Sequence, residues 1–192
     1  MNEELFYIKH TLANNRMPFC SEILKARRLQ RFFEDGDMLV FGIGADEVQR
    51  AQRLVGVYQT IAVKTSRWPT LCFPLIPENV SSDEIDMFLS NAGIREPELY
   101  RLGFKHNNCS GGCVRAGKRQ WLMLLSKLPD VYMDRERVER DFRRHFGKNV
   151  SFLKGITLEQ LRLQHGQDDN TMHEADDEII TSECIGICNL MS

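Results

Sequence analysis

The stretch Met38-Leu39-Val40-Phe41-Gly42-Ile43-Gly44 most constrains what this chain can fold into. It is short, almost wholly apolar and bounded by turn residues, the pattern of a buried strand. From Ala45 to about Gln59 the apolar residues change to helical spacing, through Val48, Ala51, Leu54 and Val55. A strand that runs straight into a helix is half of a βαβ unit, and such units build parallel sheets. The expected class is therefore α/β. Ile61-Ala62-Val63 and Thr70-Leu71-Cys72-Phe73 are shorter strand candidates, and Pro69, Pro74 and Pro77 punctuate the region around them.

Helical patterns surround this segment. Leu5, Phe6, Ile8 and Leu12 share one face of a short helix that Asn14-Asn15 breaks. A second helix is expected from an N-cap at Ser21 to Gly36, with Ile23, Leu24, Leu29, Phe32 and Phe33 inward. Ser81-Ser82-Asp83-Glu84 is a capping box, followed by Ile85, Phe88 and Leu89 and a stop at Gly93. Pro97 opens a turn to Tyr100. Val114 to Leu128 carries a core stripe of Trp121, Leu124, Leu125 and Leu128. Asp134 is read as the cap of a further helix, with Val138, Phe142 and Phe146 inward and its charged residues outward, and Thr157 starts a last short helix.

A length of 192 residues suits one main core, read as an α/β domain over 1–163. Residues 164–192 are polar and acidic, including Asp168-Asp169 and Asp176-Asp177-Glu178, and are read as a flexible tether. Charged residues make up 27% of the chain but balance to a net charge of −2, which argues against a dedicated nucleic-acid binder. No apolar run is long enough to cross a bilayer, and Met1-Asn2-Glu3-Glu4 lacks the basic-then-apolar order of a secretory signal. The expected location is the cytoplasm. In that compartment thiols serve more often as ligands or reactive groups than as structural disulfides.

The thiols are patterned. Four of the six cysteines form two Cys-x3-Cys pairs, Cys109-Ser110-Gly111-Gly112-Cys113 and Cys184-Ile185-Gly186-Ile187-Cys188. Glycine between the sulfurs lets the backbone fold back so that both can face one ligand or each other. Two readings compete for Cys109 and Cys113. They are small residues on a tight turn, or they bind zinc or an iron–sulfur cluster, since soft thiolates suit both. As metal ligands they need partners. Cys20, just ahead of a basic helix, is the third candidate, and Cys184 or Cys188 the fourth. For Cys184 a catalytic role competes, as a thiol on a tether that attacks a substrate and is resolved by its neighbour. Cys72, between Leu71 and Phe73, reads as core, and His106 as a structural or exposed histidine.

Gly42-Ile43-Gly44 leads into Ala45-Asp46-Glu47 at a strand end, where α/β sheets hold ligands. Glu47, Arg50 and Arg53 follow on the helix; the competing reading is a tight turn at the glycines and ordinary solvated ion pairs among these three. Lys25, Arg27, Arg28 and Arg31, like Arg115, Lys118 and Arg119, could hold phosphate or sulfate, or form a solvated face.

Three blocks of this sequence resemble the phosphoadenosine phosphosulfate reductase family, within the adenine nucleotide alpha-hydrolase-like group and nearest its phage and bacterial branch. They are Phe19-Cys20-Ser21-Glu22-Ile23-Leu24-Lys25, then Phe41 to Glu47 with Arg50 and Arg53-Leu54, then Pro74 through Gly93-Ile94, Pro97, Leu99-Tyr100 and Gly103-Phe104 to Cys113. The likeness spans roughly residues 18 to 163, and the terminal pair resembles the cysteine-rich ending of that branch. The resemblance implies a Rossmann-like, mostly parallel sheet with flanking helices that binds an adenine nucleotide or sulfonucleotide at its strand ends. Nucleotide or anion contacts are expected at Lys25, Gly42, Gly44, Glu47 and Arg50. Cluster or zinc cysteines are expected at Cys20, Cys109, Cys113 and Cys188, and the nucleophile at Cys184. The family's Ser-Gly-Gly-x-Asp-Ser phosphate loop has no counterpart before Cys20, so the sheet is expected to be truncated at its N-terminal side. A protein partner or a second copy would complete such a sheet. The expected function is thiol-dependent handling of an adenylated or sulfated nucleotide. The alternative is a non-catalytic binding or regulatory protein that keeps the scaffold and a structural metal site.

Overall fold

A computed structural model describes residues 3–14, 17 and 19–165. These divide into two compact units. One takes the described residues up to Ser21 and from Pro97 onward, and the other is Glu22–Glu96.

The second unit holds the sheet. Strands β1 (Met38–Val40) and β2 (Thr70–Cys72) run parallel, pairing Met38 with Thr70, Leu39 with Leu71 and Val40 with Cys72. The connection between them is a 3-10 turn (Ala45–Glu47) and helix α4 (Val48–Thr65). The mixed α/β class is thus present, in a chain that is mostly helical, with two strands in its one sheet among the described residues. β1 is shorter and wetter than its sequence pattern suggested: Met38 and Val40 are exposed, and Leu39 alone packs inward. Ile61-Ala62-Val63 is not a strand but the end of α4, where Ile61 and Ala62 are buried and Val63 faces out. The core of this unit gathers Phe33, Ile43, Ala51, Leu54, Tyr58 and Ile61.

Helix α3 (Arg27–Phe32) continues a π-helical turn (Glu22–Ala26) and helix α2 (Phe19–Ser21), so Ser21 lies buried inside a helical run instead of capping it. The expected inward positions Leu29 and Phe32 are exposed, and Phe33 alone enters the core. Phe33 is the residue at which the helix ends: its backbone is extended, and this turn of the chain carries its ring into the core while Phe32, still helical, faces out. Helix α5 (Ser82–Asn91) begins at the expected capping box. The Ser81 hydroxyl accepts from the Glu84 amide at 3.2 Å, and the Glu84 carboxylate accepts from the Ser81 amide at 2.8 Å. No residue of this helix is fully buried, Phe88 included.

The other unit is a helical core. Helices α1 (Glu4–Lys9), α6 (Glu98–Arg101), α7 (Lys118–Lys127), α8 (Pro129–Phe146) and α9 (Leu158–His165) surround Phe6, Trp121, Tyr132, Phe142, Phe152 and Leu158. Trp121 stacks on Phe152 at 5.8 Å between ring centres and meets Tyr132 edge-on at 6.1 Å. Helix α8 starts at Pro129, with proline in its first turn where no amide partner is required, and Asp134 lies inside it, accepting from Arg137 at 2.7 Å.

Tyr132 is buried, and its hydroxyl donates to the Leu158 carbonyl at 2.7 Å. Burial first, then the nearby Glu136 and Glu139 carboxylates, push its phenol pKa well above the ordinary value. The folded state therefore favours the protonated phenol. Its stabilising share is complete below the unfolded value near 10 and is lost as pH rises through the raised one. Tyr132→Phe is expected to cost about 1 kcal/mol near neutral pH through the lost hydrogen bond. It should also flatten the loss of stability that the parent shows between about pH 9 and about pH 12, where the unfolded phenol ionises and the folded one stays protonated. Urea midpoints of both proteins across that range test this; parallel pH curves would refute the assignment.

Candidate functional site

The cysteine loop belongs to the helical unit. Leu99 and Phe104 anchor the chain before it, and α7 follows it. At its tip, Asn108–Gly111 forms a 3-10 turn in which three successive residues have left-handed backbone: Cys109 at φ +52, Ser110 at φ +55 and Gly111 at φ +83. Glycine adopts that conformation without a steric penalty, whereas a cysteine and a serine there carry strain. What holds them is the base of the loop. Gly111 through Ala116 is buried without a break. The Gly111 carbonyl accepts from Gln120 Nε2 at 2.9 Å, and a β-carbon on Gly111 would lie 3.0 Å from both Leu124 and Phe104.

Beneath the loop lies positive charge. Arg115 is part of the buried stretch, and Arg135 of α8 packs so close that a β-carbon on Gly112 would stand 3.0 Å from its Nε. The Arg135 Nη1 donates to Asp134 at 2.8 Å, while its Nε is buried and makes no hydrogen bond with the described residues. A buried guanidinium with an unmet donor favours a negative charge nearby. Sequence reading missed Arg135, because its sole signal was a charged residue on a helix thought to face water on that side.

The two sulfurs are not equivalent. Cys109 is exposed at the strained tip, Cys113 is buried at the base, and Cys20 is half-buried against the core of the same unit. Among the described residues no three of His, Cys, Asp and Glu are grouped to hold a metal ion. Cys20, Cys109 and Cys113 are thus not assembled there as three ligands of one centre, and those residues alone do not fit a cluster that needs four thiolates. Cys184 and Cys188 lie outside the described residues. Cys72 sits in β2, half-buried, and His106 is half-buried as well.

The remaining candidates belong to the sheet unit. Gly42 and Gly44 follow the carboxyl end of β1. A β-carbon on Gly42 would meet open space, whereas one on Gly44 would lie 2.7 Å from the Asp46 carboxylate. Glu47 and Arg50 come together, the guanidinium donating to both carboxylate oxygens at 2.9 and 3.1 Å. Lys25 is exposed on the π-helical turn. No helix among the described residues is long and apolar enough to cross a membrane. No protein-family model, curated protein or solved structure matches the chain.

Proposed function

We propose that the chain acts by thiol chemistry on an adenylated or sulfated nucleotide, as a cytoplasmic protein of the phosphoadenosine phosphosulfate reductase type. The observation that carries this reading is the exposed Cys109 held in a left-handed conformation at the tip of a loop whose base, at Gly112, packs on the buried Arg135 side chain. Strain of this kind persists only when the surroundings over-determine it, and it concentrates where a side chain must be presented. A sulfate or phosphate oxygen is the natural anion for such a loop.

The nucleotide half of the proposal draws on the other unit. Its β1–α4–β2 arrangement supports a Rossmann-like reading, and the turn at Gly42 and Gly44 has the location at which such sheets receive phosphates. Zinc or iron–sulfur ligation by Cys20, Cys109, Cys113 and Cys188, and a nucleophilic Cys184, rest on the cysteine spacing and the resemblance, and no step is drawn through them. One observation favours the alternative of a binding or regulatory protein: the Arg50 side chain, expected to contact an anion, is engaged by Glu47.

Two measurements test the reading on the full chain. Brief labelling with a thiol reagent under reducing conditions, followed by peptide mass spectrometry, should modify Cys109 well before the buried Cys113. Calorimetry with ATP, AMP and an adenosine phosphosulfate should give heat with at least one, and Cys109→Ser should keep that binding while abolishing any turnover. Absence of heat with all three would remove the nucleotide. Equal labelling of the two cysteines would remove the presented thiol.

A further inference from the structure

Two helices of the sheet unit show water an arrangement that water does not explain. On α5 the exposed face carries Asp83 and Glu84 in the first turn, then Met87 and Phe88 in the next, with Phe88 71% exposed and Met87 61%. On α3 the exposed face carries Arg28, then Leu29 and Phe32, with Phe32 77% exposed. A scattered exposed apolar residue is ordinary, but these are large side chains grouped beside charge. The two faces are opposite in sign and alike in spacing. Arg28 precedes Phe32 by four residues, as Asp83 precedes Met87 and Glu84 precedes Phe88. Four residues are about 6 Å along a helix, so each charge stands one turn before its apolar group.

We infer that α3 of one copy packs, parallel, on α5 of a second copy, forming a two-fold homodimer through two reciprocal contacts. In a parallel pairing Arg28 meets the acidic first turn of α5 while Leu29 and Phe32 meet Met87 and Phe88. An antiparallel pairing would set the charge of each helix against the apolar end of the other. Ser81 draws the Glu84 carboxylate back onto the cap, which leaves Asp83 as the main acidic contact. A two-fold contact is self-complementary and so requires both halves on one chain, and this chain carries both.

The test uses sedimentation of the full chain across a concentration series, at about 0.05 M and about 0.5 M salt. The parent protein should dimerise, more weakly at high salt. Arg28→Glu and Asp83→Lys, each alone, should weaken association at least about tenfold by setting like charges face to face at both contacts. An equimolar mixture of the two variants should restore it, because the mixed pair has opposite charges at each contact. All these residues are exposed, so circular dichroism should be unchanged. A parent protein that stays monomeric, a dimer indifferent to both substitutions, or a mixture that stays monomeric each overturns the proposal.

Discussion

Glu139→Leu is expected to lower the stability of the helical unit by about 2–5 kcal/mol. Glu139 is 1% exposed, and its two oxygens have separate duties. One accepts from the Phe152 amide at 2.8 Å and the other from the Leu158 amide at 2.7 Å. Leu158 is the first residue of α9, so its amide is among those that a helix start leaves without an internal partner. Leucine fills similar space but leaves two buried donors unmet, each costing about 1–3 kcal/mol. Glu139→Gln keeps one acceptor oxygen and should cost roughly half as much. Arg144→Ala, which removes an exposed partner of Asp141, should fall within about 1 kcal/mol of the parent. Urea unfolding followed by the fluorescence of buried Trp121, in a Trp68→Phe background, provides the comparison. Equal losses for the leucine and glutamine variants would show that the carboxylate is not bridging two amides. The pH dependence has a definite sign. Burial raises the Glu139 carboxyl above its ordinary range, partly opposed by the two amides. Its share of stability is present at low pH and declines as pH rises through the raised value, so acidification draws no loss from this residue.

That pair of amides marks where sequence reading lost the thread. The charged residues of α8 have the pattern of a solvated face, yet Tyr132, Arg135, Glu136, Val138, Glu139 and Phe142 form its buried side. The spacing was visible, but a carboxylate on a core stripe looks like surface until its partners are known. Those partners are distant in sequence: Glu136 accepts from Arg162 at 2.7 and 3.0 Å, and Glu139 reaches across to Phe152 and Leu158. Features closed by neighbours fared better. The Ser81–Glu84 box needs four residues and was legible in full. The β1-to-α4 transition needed a change of period and was legible, though its boundaries were not. At the cysteine loop the glycines announced a tight turn, but nothing local indicated that Cys109 and Ser110 would also be left-handed. Nor could spacing separate an exposed sulfur from a buried one four residues on. Phe104, Leu124 and Arg135 meet the glycines between the two sulfurs from three other segments, and local spacing carries no trace of them.

Gly111→Ala is the substitution that tests this account of the loop, with an expected cost of about 2–4 kcal/mol. Two separable penalties contribute. At φ +83 an alanine occupies backbone space that L residues rarely use. Its β-carbon also arrives 3.0 Å from Leu124 Cδ1 and Phe104 Cε1, both in the core of the unit. Gly112→Ala isolates the second kind of penalty, because Gly112 has an ordinary φ of −93 and the atoms nearest its β-carbon are those of the buried Arg135 side chain. It should cost less, about 1–2 kcal/mol. Leu124→Ala in the Gly111→Ala background opens space on one side without touching the backbone term. If crowding dominates, the second change adds less than its cost in the parent; if backbone strain dominates, the two losses simply add. The thiol offers an independent reading of the same geometry. Displacing the base must move the tip, so Gly111→Ala should alter the labelling rate of Cys109 even where the unit stays folded. A variant as stable as the parent and with unchanged Cys109 labelling would mean that Phe104 and Leu124 do not seat the loop, and the strain at Cys109 would then need another cause.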